Sequence, residues 1–189
     1  MSESKPVPEI YRRLGVPPVI HGSGTTTRYG GSRLRPEVFE VMREASQTLV
    51  NIDELNVAAG AAIARMLGTE AAFVSAGASS GLMLQAAACI AGDDAAKITR
   101  LPDTHGMRNE IVIQRAHRFA YDQAYRVAGV VLVEIGLARR TQPFELEDAI
   151  TDRTAAVAYL VSPFTSPPGI LTLEQVVAIA HKRNVPVIV

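Results

Sequence analysis

The feature that most constrains the fold is an alternation of short apolar runs with helical patterns, which continues from Glu70 to the end of the chain. Strands that are apolar on both faces and alternate with helices are typical of a mostly parallel sheet with helices on either side. The sequence therefore predicts a three-layer α/β/α fold. The predicted strands are 71–75, 110–114, 130–135, 155–161 and 185–189, and the predicted helices are 79–91, 121–128, 144–150 and a last one from 172.

The N-terminal part follows a different pattern. A proline-rich stretch at 1–17 holds one short helical candidate, and the apolar pair Val19-Ile20 predicts a short strand before a loop rich in glycine and threonine. Apolar residues at helical spacing predict further helices that start near Pro36 and Asp53. We predict an N-terminal arm at 1–17 and a domain over 18–189.

The chain closes on Val185–Val189, a β-branched run that predicts a buried strand with no turn after it. In open α/β sheets, the groups that carry chemistry lie just beyond the carboxyl ends of such strands. We therefore expect the domain to be truncated where a functional loop would begin.

Composition excludes several classes of protein. The chain has 189 residues, 48% of them apolar, and its 19 basic and 19 acidic side chains balance. This excludes a disordered tail and disfavours nucleic-acid binding. The single cysteine, Cys89, excludes an internal disulfide, and the four histidines lack metal-ligand spacing. The polar N-terminus and short apolar runs predict neither a signal peptide nor a membrane span. We expect a cytoplasmic protein without a bound metal.

The strongest local motif is the segment Phe73–Gly81, in which a predicted strand breaks at Gly77 and a helix begins at once. Small residues let an anion approach the free N–H groups of the first helical turn, where the helix dipole also favours negative charge. The sequence Gly77-Ala78-Ser79 therefore has the form of a phosphate cradle. The alternative is an ordinary turn in which a serine caps the helix.

A second glycine-rich segment, Gly22–Thr27, resembles part of a dinucleotide fingerprint, but it lacks the third glycine and follows a very short strand. No Gly-Lys-Ser/Thr sequence follows Gly77, so the cradle is not a Walker loop. A nicotinamide-dependent oxidoreductase is thus the weakest of the open hypotheses.

Polar side chains gather around the predicted strand 110–114. A polar loop at 101–109 precedes this strand, and Arg115, His117 and Arg118 follow it. Guanidinium groups suit carboxylate or phosphate ligands, although a single arginine in a loop more often forms local ion pairs. His117 lies just past a strand end, where side chains of a parallel sheet reach a ligand.

Taken together, these segments resemble the pyridoxal-phosphate (PLP) enzymes of fold type I. They are most similar to the family of selenocysteine synthase (L-seryl-tRNA(Sec) selenium transferase) and D-glucosaminate-6-phosphate ammonia-lyase. The resemblance covers nearly the whole chain after the first fifteen residues, and its most specific part is 101–118. It implies the large domain of a PLP-dependent transferase of the aspartate aminotransferase type. The segments that carry it are 19–31, 53–60, 70–81 and 101–118.

The family's residue roles are carried over only at matching positions. The residues that would contact the cofactor are Gly77, Ala78 and Ser79 at its phosphate, His117 stacked on its pyridine ring and Ser162 near the far edge of that ring. The residues that would face the substrate are Asn109, Gln114, Arg118 and, at a neighbouring subunit's site, Arg28.

Two residues that the family chemistry requires are missing. An aspartate after the next core strand keeps the pyridine nitrogen protonated, and a lysine further along forms the Schiff base with the cofactor. The chain ends at Val189, immediately before the expected aspartate. Its lysines, Lys5, Lys97 and Lys182, lie in the arm, a polar turn and a helix. We therefore expect no catalytic residue within the chain and no activity from the chain alone.

For the intact protein, the resemblance implies removal of an α-proton, storage of the carbanion in the cofactor ring and loss of a β-hydroxyl. Balanced charge and the lack of room for a tRNA-binding domain favour a small amino-acid-like substrate, free or phosphorylated, over aminoacyl-tRNA. Enzymes of this fold place active sites at a dimer interface, which implies a homo-oligomer. The alternative hypothesis is a non-catalytic remnant that dimerises or binds a partner through an exposed sheet edge.

Overall fold

The computed structural model describes residues 7–22, 24–162 and 167–189. These residues form two compact units, one ending at Ala71 and the other running from Ala72 to Val189. The first six residues of the predicted arm, which include Lys5, lie outside the described residues.

The first unit contains helices α1 (Glu9–Arg13), α2 (Pro36–Ala45) and α3 (Ile52–Leu67). Pro36 opens α2 at a position where the missing N–H costs no hydrogen bond. The side chain of Asn51 caps α3 by accepting from two N–H groups of its first turn. All three predicted helices of this part of the chain are thus confirmed.

Two predicted strands do not form. Val19 and Ile20 belong to no β-ladder, and Ile20 is fully exposed. Residues 71–75 also belong to no ladder in the described part of the chain, and Phe73 and Val74 are exposed. Apolar composition indicates that a segment suits a half-buried sheet, but a strand forms only where a neighbouring strand satisfies its backbone groups.

The second unit is built on a four-stranded sheet in which all paired strands are parallel. The two central strands are buried along their whole length, as expected for strands covered on both faces. The predicted parallel sheet is confirmed. In spatial order the strands are β2 (Val131–Ile135), β1 (Glu110–Gln114), β3 (Thr154–Ala158) and β4 (Val187–Ile188).

Helices pack against both faces of this sheet. One hydrophobic cluster joins α4 (Ala78–Ala91) and α6 (Gln123–Val127) to the face that carries Ile111 and Ile113. A second cluster joins α7 (Pro143–Ala149) and α8 (Leu173–Lys182) to the face that carries Val112. The three-layer arrangement predicted from the sequence is therefore confirmed. The helices of this unit are α4 (Ala78–Ala91), α5 (Ala95–Arg100), α6 (Gln123–Val127), α7 (Pro143–Ala149) and α8 (Leu173–Lys182).

The direction of α4 places its first turn at a defined end of the sheet. Ala88 and Cys89, near the end of α4, line a cavity together with Thr154 and Pro186 at the amino ends of β3 and β4. A helix of 14 residues is about 21 Å long, so its first turn lies toward the opposite end of the strands. We call this end, where β1 and β3 finish, the carboxyl edge, and the other end the amino edge.

Candidate functional site

The first turn of α4 has no side-chain cap. Gly77 precedes the helix with φ 145° and ψ 175°, a conformation that glycine adopts readily and other residues adopt only under strain. The hydroxyl groups of Ser75 and Ser80 donate to the carbonyl oxygen of Gly77, at 3.1 and 2.8 Å, and neither accepts from a helix N–H. The alternative interpretation, a serine cap, is wrong.

The electrostatics of this turn favour an anion. The first N–H groups of any helix lack intrahelical acceptors, and the helix dipole places about half a positive charge at the same end. The first turn of α4 carries no acidic side chain, and Ser79 is exposed. The N–H groups of Ala78 and Ser79 are therefore placed to bind a phosphate or carboxylate that arrives from solvent.

His117 lies in a 3-10 turn directly after β1, and its side chain is completely buried. Its Nδ1 accepts a hydrogen bond from the N–H of Leu160 at 3.4 Å, and its ring meets that of Tyr159 edge-on, with 4.4 Å between the ring centroids. Burial lowers the pKa of His117, so its ring is neutral at neutral pH. Stacking on a cofactor ring requires an open face, which this geometry does not provide, and that role stays a prediction.

Gln114, the last residue of β1, uses both ends of its amide on the backbone of Leu171. Its Nε2 donates to the carbonyl oxygen of Leu171 at 3.2 Å, and its Oε1 accepts from the N–H of Leu171 at 2.9 Å. The side chain is buried. The amide therefore faces the protein's own backbone, and the contact between Gln114 and substrate stays a prediction.

Arg118 bridges two carboxylates at the carboxyl edge. Its guanidinium donates to Asp122, at 2.5 Å, and to Glu134 on β2. The Asp122 carboxylate is almost completely buried, and its hydrogen bond is the main cause that raises the pKa of Arg118. Arg118 thus joins the segment after β1 to the neighbouring strand, and its role of facing the substrate stays a prediction.

Asn109 lies at the other end of β1. Its Nδ2 donates to Oγ1 of Thr104 at 2.9 Å, within the loop that precedes the strand. At about 3.3 Å per residue, roughly 16 Å separates its Cα from that of Gln114. Asn109 is therefore at the amino edge, and its contact with a substrate stays a prediction.

The remaining predicted residues lie in two different places. Ser162 follows β3 at the carboxyl edge and is partly buried. Arg28 is exposed in a 3-10 turn of the first unit, and its role at a neighbouring subunit's site stays a prediction.

The dinucleotide hypothesis for Gly22–Thr27 is wrong. This fingerprint requires a strand before the glycines and a long helix after them. Here no strand precedes the segment among the described residues, and a three-residue 3-10 turn, Thr27–Tyr29, follows it.

The described lysines lie away from the first turn of α4. Lys97 belongs to α5, which follows the last turn of α4, and its Nζ is 3.6 Å from the carboxylate of Asp94. Lys182 ends α8, after which the chain enters the amino end of β4. Both lysines are therefore at the amino edge.

Metal and membrane sites were also predicted from the sequence to be absent. Between residues 7 and 189, leaving out the positions that the structure does not describe, no three or more His, Cys, Asp and Glu side chains form a group that could hold a metal ion. Over the same residues, the helices are too short or too polar to cross a membrane.

Comparisons with known proteins identify relatives of the chain. No family model matches it. Its fold matches the structure of D-glucosaminate-6-phosphate ammonia-lyase with a TM-score of 0.90 and 33% sequence identity, over 95% of this chain and 50% of that one. The D-glucosaminate-6-phosphate ammonia lyase of Salmonella typhimurium is 34% identical over 186 residues, which are 96% of this chain and 50% of the relative. The chain resembles an N-terminal portion of this family.

Two further relatives show how varied the family is. A 5'-C-glycyluridine monooxygenase-decarboxylase of a Streptomyces species is 36% identical over 186 residues, which are 95% of this chain and 46% of the relative. An L-seryl-tRNA(Sec) selenium transferase of Nautilia profundicola is 28% identical over 181 residues, which are 88% of this chain and 38% of the relative. The chain spans about half the length of the ammonia lyase and fits an N-terminal portion of the family. The predicted large-domain fold of a PLP-dependent enzyme is confirmed.

Proposed function

We propose that the chain is the phosphate-binding part of an enzyme that uses pyridoxal 5'-phosphate (PLP) to act on a small amino-acid-like substrate. The observation that carries this proposal is the uncapped first turn of α4, which presents N–H groups and the positive end of a helix dipole at the carboxyl edge of a parallel sheet. Resemblance to the ammonia-lyase and selenium-transferase family supports it.

The described residues fit the phosphate group of PLP. The N–H groups of Ala78 and Ser79 would donate to phosphate oxygens, and the exposed hydroxyl of Ser79 adds a further donor. Gly77 keeps the approach open, since even an added Cβ at this position would meet no atom within 4 Å. When bound, PLP supplies an electron sink for a carbanion next to the amino group. The ring contacts proposed for His117 and Ser162 are secondary to this phosphate site.

The names of the relatives support an amino-acid-like substrate. Glucosaminate, glycyluridine and seryl-tRNA each contain an amino-acid group, which is free and phosphorylated in the first and attached to a nucleoside or an RNA in the others. An amino-acid-like substrate is therefore what we propose for the protein to which this chain belongs, with elimination or replacement at its β-carbon as the reaction.

A second candidate reaction is oxidative decarboxylation of an amino acid, with dioxygen as the oxidant that takes up the electrons. The observation that favours it is the 36% identity to a protein named as a monooxygenase-decarboxylase, since this value is slightly above the identity to the ammonia lyase. Both candidates use the same phosphate site, so the first experiment tests what they share.

The experiment is a titration of the isotope-labelled chain with PLP, with pyridoxal, which lacks the phosphate, and with inorganic phosphate, followed through backbone amide resonances. We expect PLP and phosphate to shift the amides of Ala78, Ser79 and Ser80, and pyridoxal to leave them unchanged. Shifts confined to the amino-edge loop 101–109, or no shift with any of the three, would overturn the proposal and favour the non-catalytic alternative.

The predicted homo-oligomer is a separate proposal. Sedimentation of the chain at several concentrations tests it, with a dimer expected and a monomer at all concentrations contradicting it. The result does not bear on the phosphate site.

A further inference from the structure

The connection between β3 and α8 is held at both of its ends by side chains from one short segment. We call residues 159–172 the β3–α8 loop; the structure describes 159–162 and 167–172 of it. Near its start, the N–H of Leu160 donates to Nδ1 of His117, and near its end, Leu171 exchanges two hydrogen bonds with Gln114. Gln114 and His117 are three residues apart, at the end of β1 and in the turn after it.

The two hydrogen bonds between Gln114 and Leu171 resemble those between paired residues of neighbouring strands. The amide of Gln114 offers one donor and one acceptor, and the backbone of Leu171 takes both, as a residue in a neighbouring strand would. The two residues are 57 positions apart in the chain, and both are buried, so water does not compete for these bonds. A further hydrogen bond holds the loop nearby: the N–H of Thr141 donates to the carbonyl oxygen of Gly169 at 3.0 Å.

The bond to Leu160 fixes the chemical state of His117. A ring nitrogen that accepts from a backbone N–H carries no hydrogen, so the neutral ring of His117 has its hydrogen on Nε2. This nitrogen is buried and finds no partner in the described residues. The contact through which the structure ties His117 to the loop is therefore its Nδ1.

We propose that Gln114 and His117 are positioning residues that hold the two ends of the β3–α8 loop and so fix Ser162 at the carboxyl edge. This inference rests on the proposed PLP function and deepens it. This role is separate from the ring contact proposed for His117. The two residues act through Leu160 and Leu171, and they govern contacts to the ring of the cofactor, while the first turn of α4 governs contacts to its phosphate.

The chain allows matched variants at both positions. Gln114→Met keeps the length of the side chain and removes both hydrogen bonds. His117→Asn keeps an acceptor at the place of Nδ1, whereas His117→Gln moves its polar atoms to the place of Nε2 and removes that acceptor. Val112→Ala, at a buried position in the middle of β1, is the control, because it removes packing without touching either end of the loop.

The measurements are the dissociation constants for PLP and for inorganic phosphate, together with hydrogen exchange at the amides of Leu160 and Leu171. Because each released loop end loses its buried hydrogen bonds, we expect Gln114→Met and His117→Gln to weaken PLP binding about tenfold and to leave phosphate binding within about twofold. His117→Asn keeps the acceptor for the N–H of Leu160, so we expect hydrogen exchange at Leu160 to stay close to that of the unchanged chain. Faster exchange is expected at Leu171 in Gln114→Met and at Leu160 in His117→Gln.

A merely structural role would lower the affinities for PLP and phosphate together, as we expect for Val112→Ala, and this result overturns the inference. Unchanged exchange at Leu160 and Leu171 in the variants overturns it as well, and this measurement needs no ligand. If the unchanged chain binds phosphate but binds PLP no better than phosphate, the proposed function fails instead, and the exchange data alone then decide whether the two residues hold the loop.

Discussion

The hydroxyl of Ser80 donates to the carbonyl oxygen of Gly77 at 2.8 Å, which is the reverse of the direction found in a helix cap. In a cap, the side-chain oxygen would accept from an N–H of the first turn and would compete with any ligand. Here the serine instead restrains the carbonyl group of the residue before the helix. The N–H groups at the start of α4 are therefore left for an anion from outside.

Substituting Gly77 tests whether its backbone shape matters for that anion. Gly77→Ala places a side chain on a residue with φ 145°, where the added methyl meets no neighbouring atom, so the cost arises from the backbone. We expect the free energy of unfolding to fall by about 1–3 kcal/mol and phosphate binding to weaken. Urea unfolding and phosphate titration measure the two effects.

The control for this substitution is Gly92→Ala, at the opposite end of α4, where φ is also positive, at 57°. This variant is expected to lose stability and to bind phosphate normally. Equal losses of phosphate affinity in the two variants would show that helix stability, and not the shape of the first turn, controls binding.

Arg118 is expected to stabilise the fold without taking part in ligand binding. Arg118→Met leaves the nearly buried carboxylate of Asp122 with Arg126 as its remaining ion-pair partner among the described residues, and that guanidinium is 3.8 Å away. A partly buried pair of this kind is worth more than a surface pair, and we expect a loss of about 1–3 kcal/mol in the free energy of unfolding. Arg115→Met is the control, because Arg115 is mostly exposed and 3.9 Å from Glu134. Its loss should be below about 0.5 kcal/mol.

The same variant distinguishes the observed geometry from the role predicted by sequence. If Arg118 faced the substrate or cofactor, Arg118→Met would weaken PLP binding without much loss of stability. We expect the opposite result, with PLP affinity unchanged at temperatures where the variant is folded.

Local signals in the sequence were sufficient for most elements of the fold. The strand Glu110–Gln114 forms with the predicted bounds, because its three central residues, Ile111, Val112 and Ile113, are β-branched and apolar and suit burial on both faces. The helix predicted from 172 also forms, and Thr172 and Gln175 make a capping box in which each accepts from the backbone of the other. Such signals lie within four residues of each other, so they can be found without knowledge of the tertiary fold.

The hydrogen-bond and ion-pair partners of the polar side chains at the carboxyl edge could not be predicted from such local signals. Gln114 is satisfied by a backbone 57 residues away, and Arg118 reaches Glu134, 16 residues away, in addition to the nearby Asp122. Neither of the two distant partners has a recognisable spacing. Sequence reasoning gave Leu171 no role for the same reason. The helix α5, which Asp94 caps, is also absent from the helices predicted by sequence.

Cys89 is expected to react slowly with thiol reagents while the chain is folded. It lies on α4 and is partly buried, and this burial raises the pKa of its thiol above the ordinary value of 9.0. The thiolate is the reactive form, so a raised pKa lowers its fraction at mildly alkaline pH. Alkylation by iodoacetamide, followed by mass spectrometry in buffer and in urea, measures the difference. Since the sequence has one cysteine, equal rates in the two solvents would directly contradict the expectation.

The buried ring of His117 should make the stability of the chain depend on pH. Burial lowers the pKa of His117 below its ordinary value of 6.5, so in the window below 6.5 the unfolded chain binds a proton that the folded chain does not. The free energy of unfolding therefore rises with pH through this window and levels off above it, with a slope of at most about 1.4 kcal/mol per pH unit. Urea unfolding between about pH 5.5 and 7.5 measures it. His117→Asn, which cannot titrate there, should flatten the slope, whereas the exposed His181→Gln should retain it. A slope that is the same in both variants would assign the pH dependence to groups other than His117 and would remove the evidence that its ring is held neutral in the folded chain.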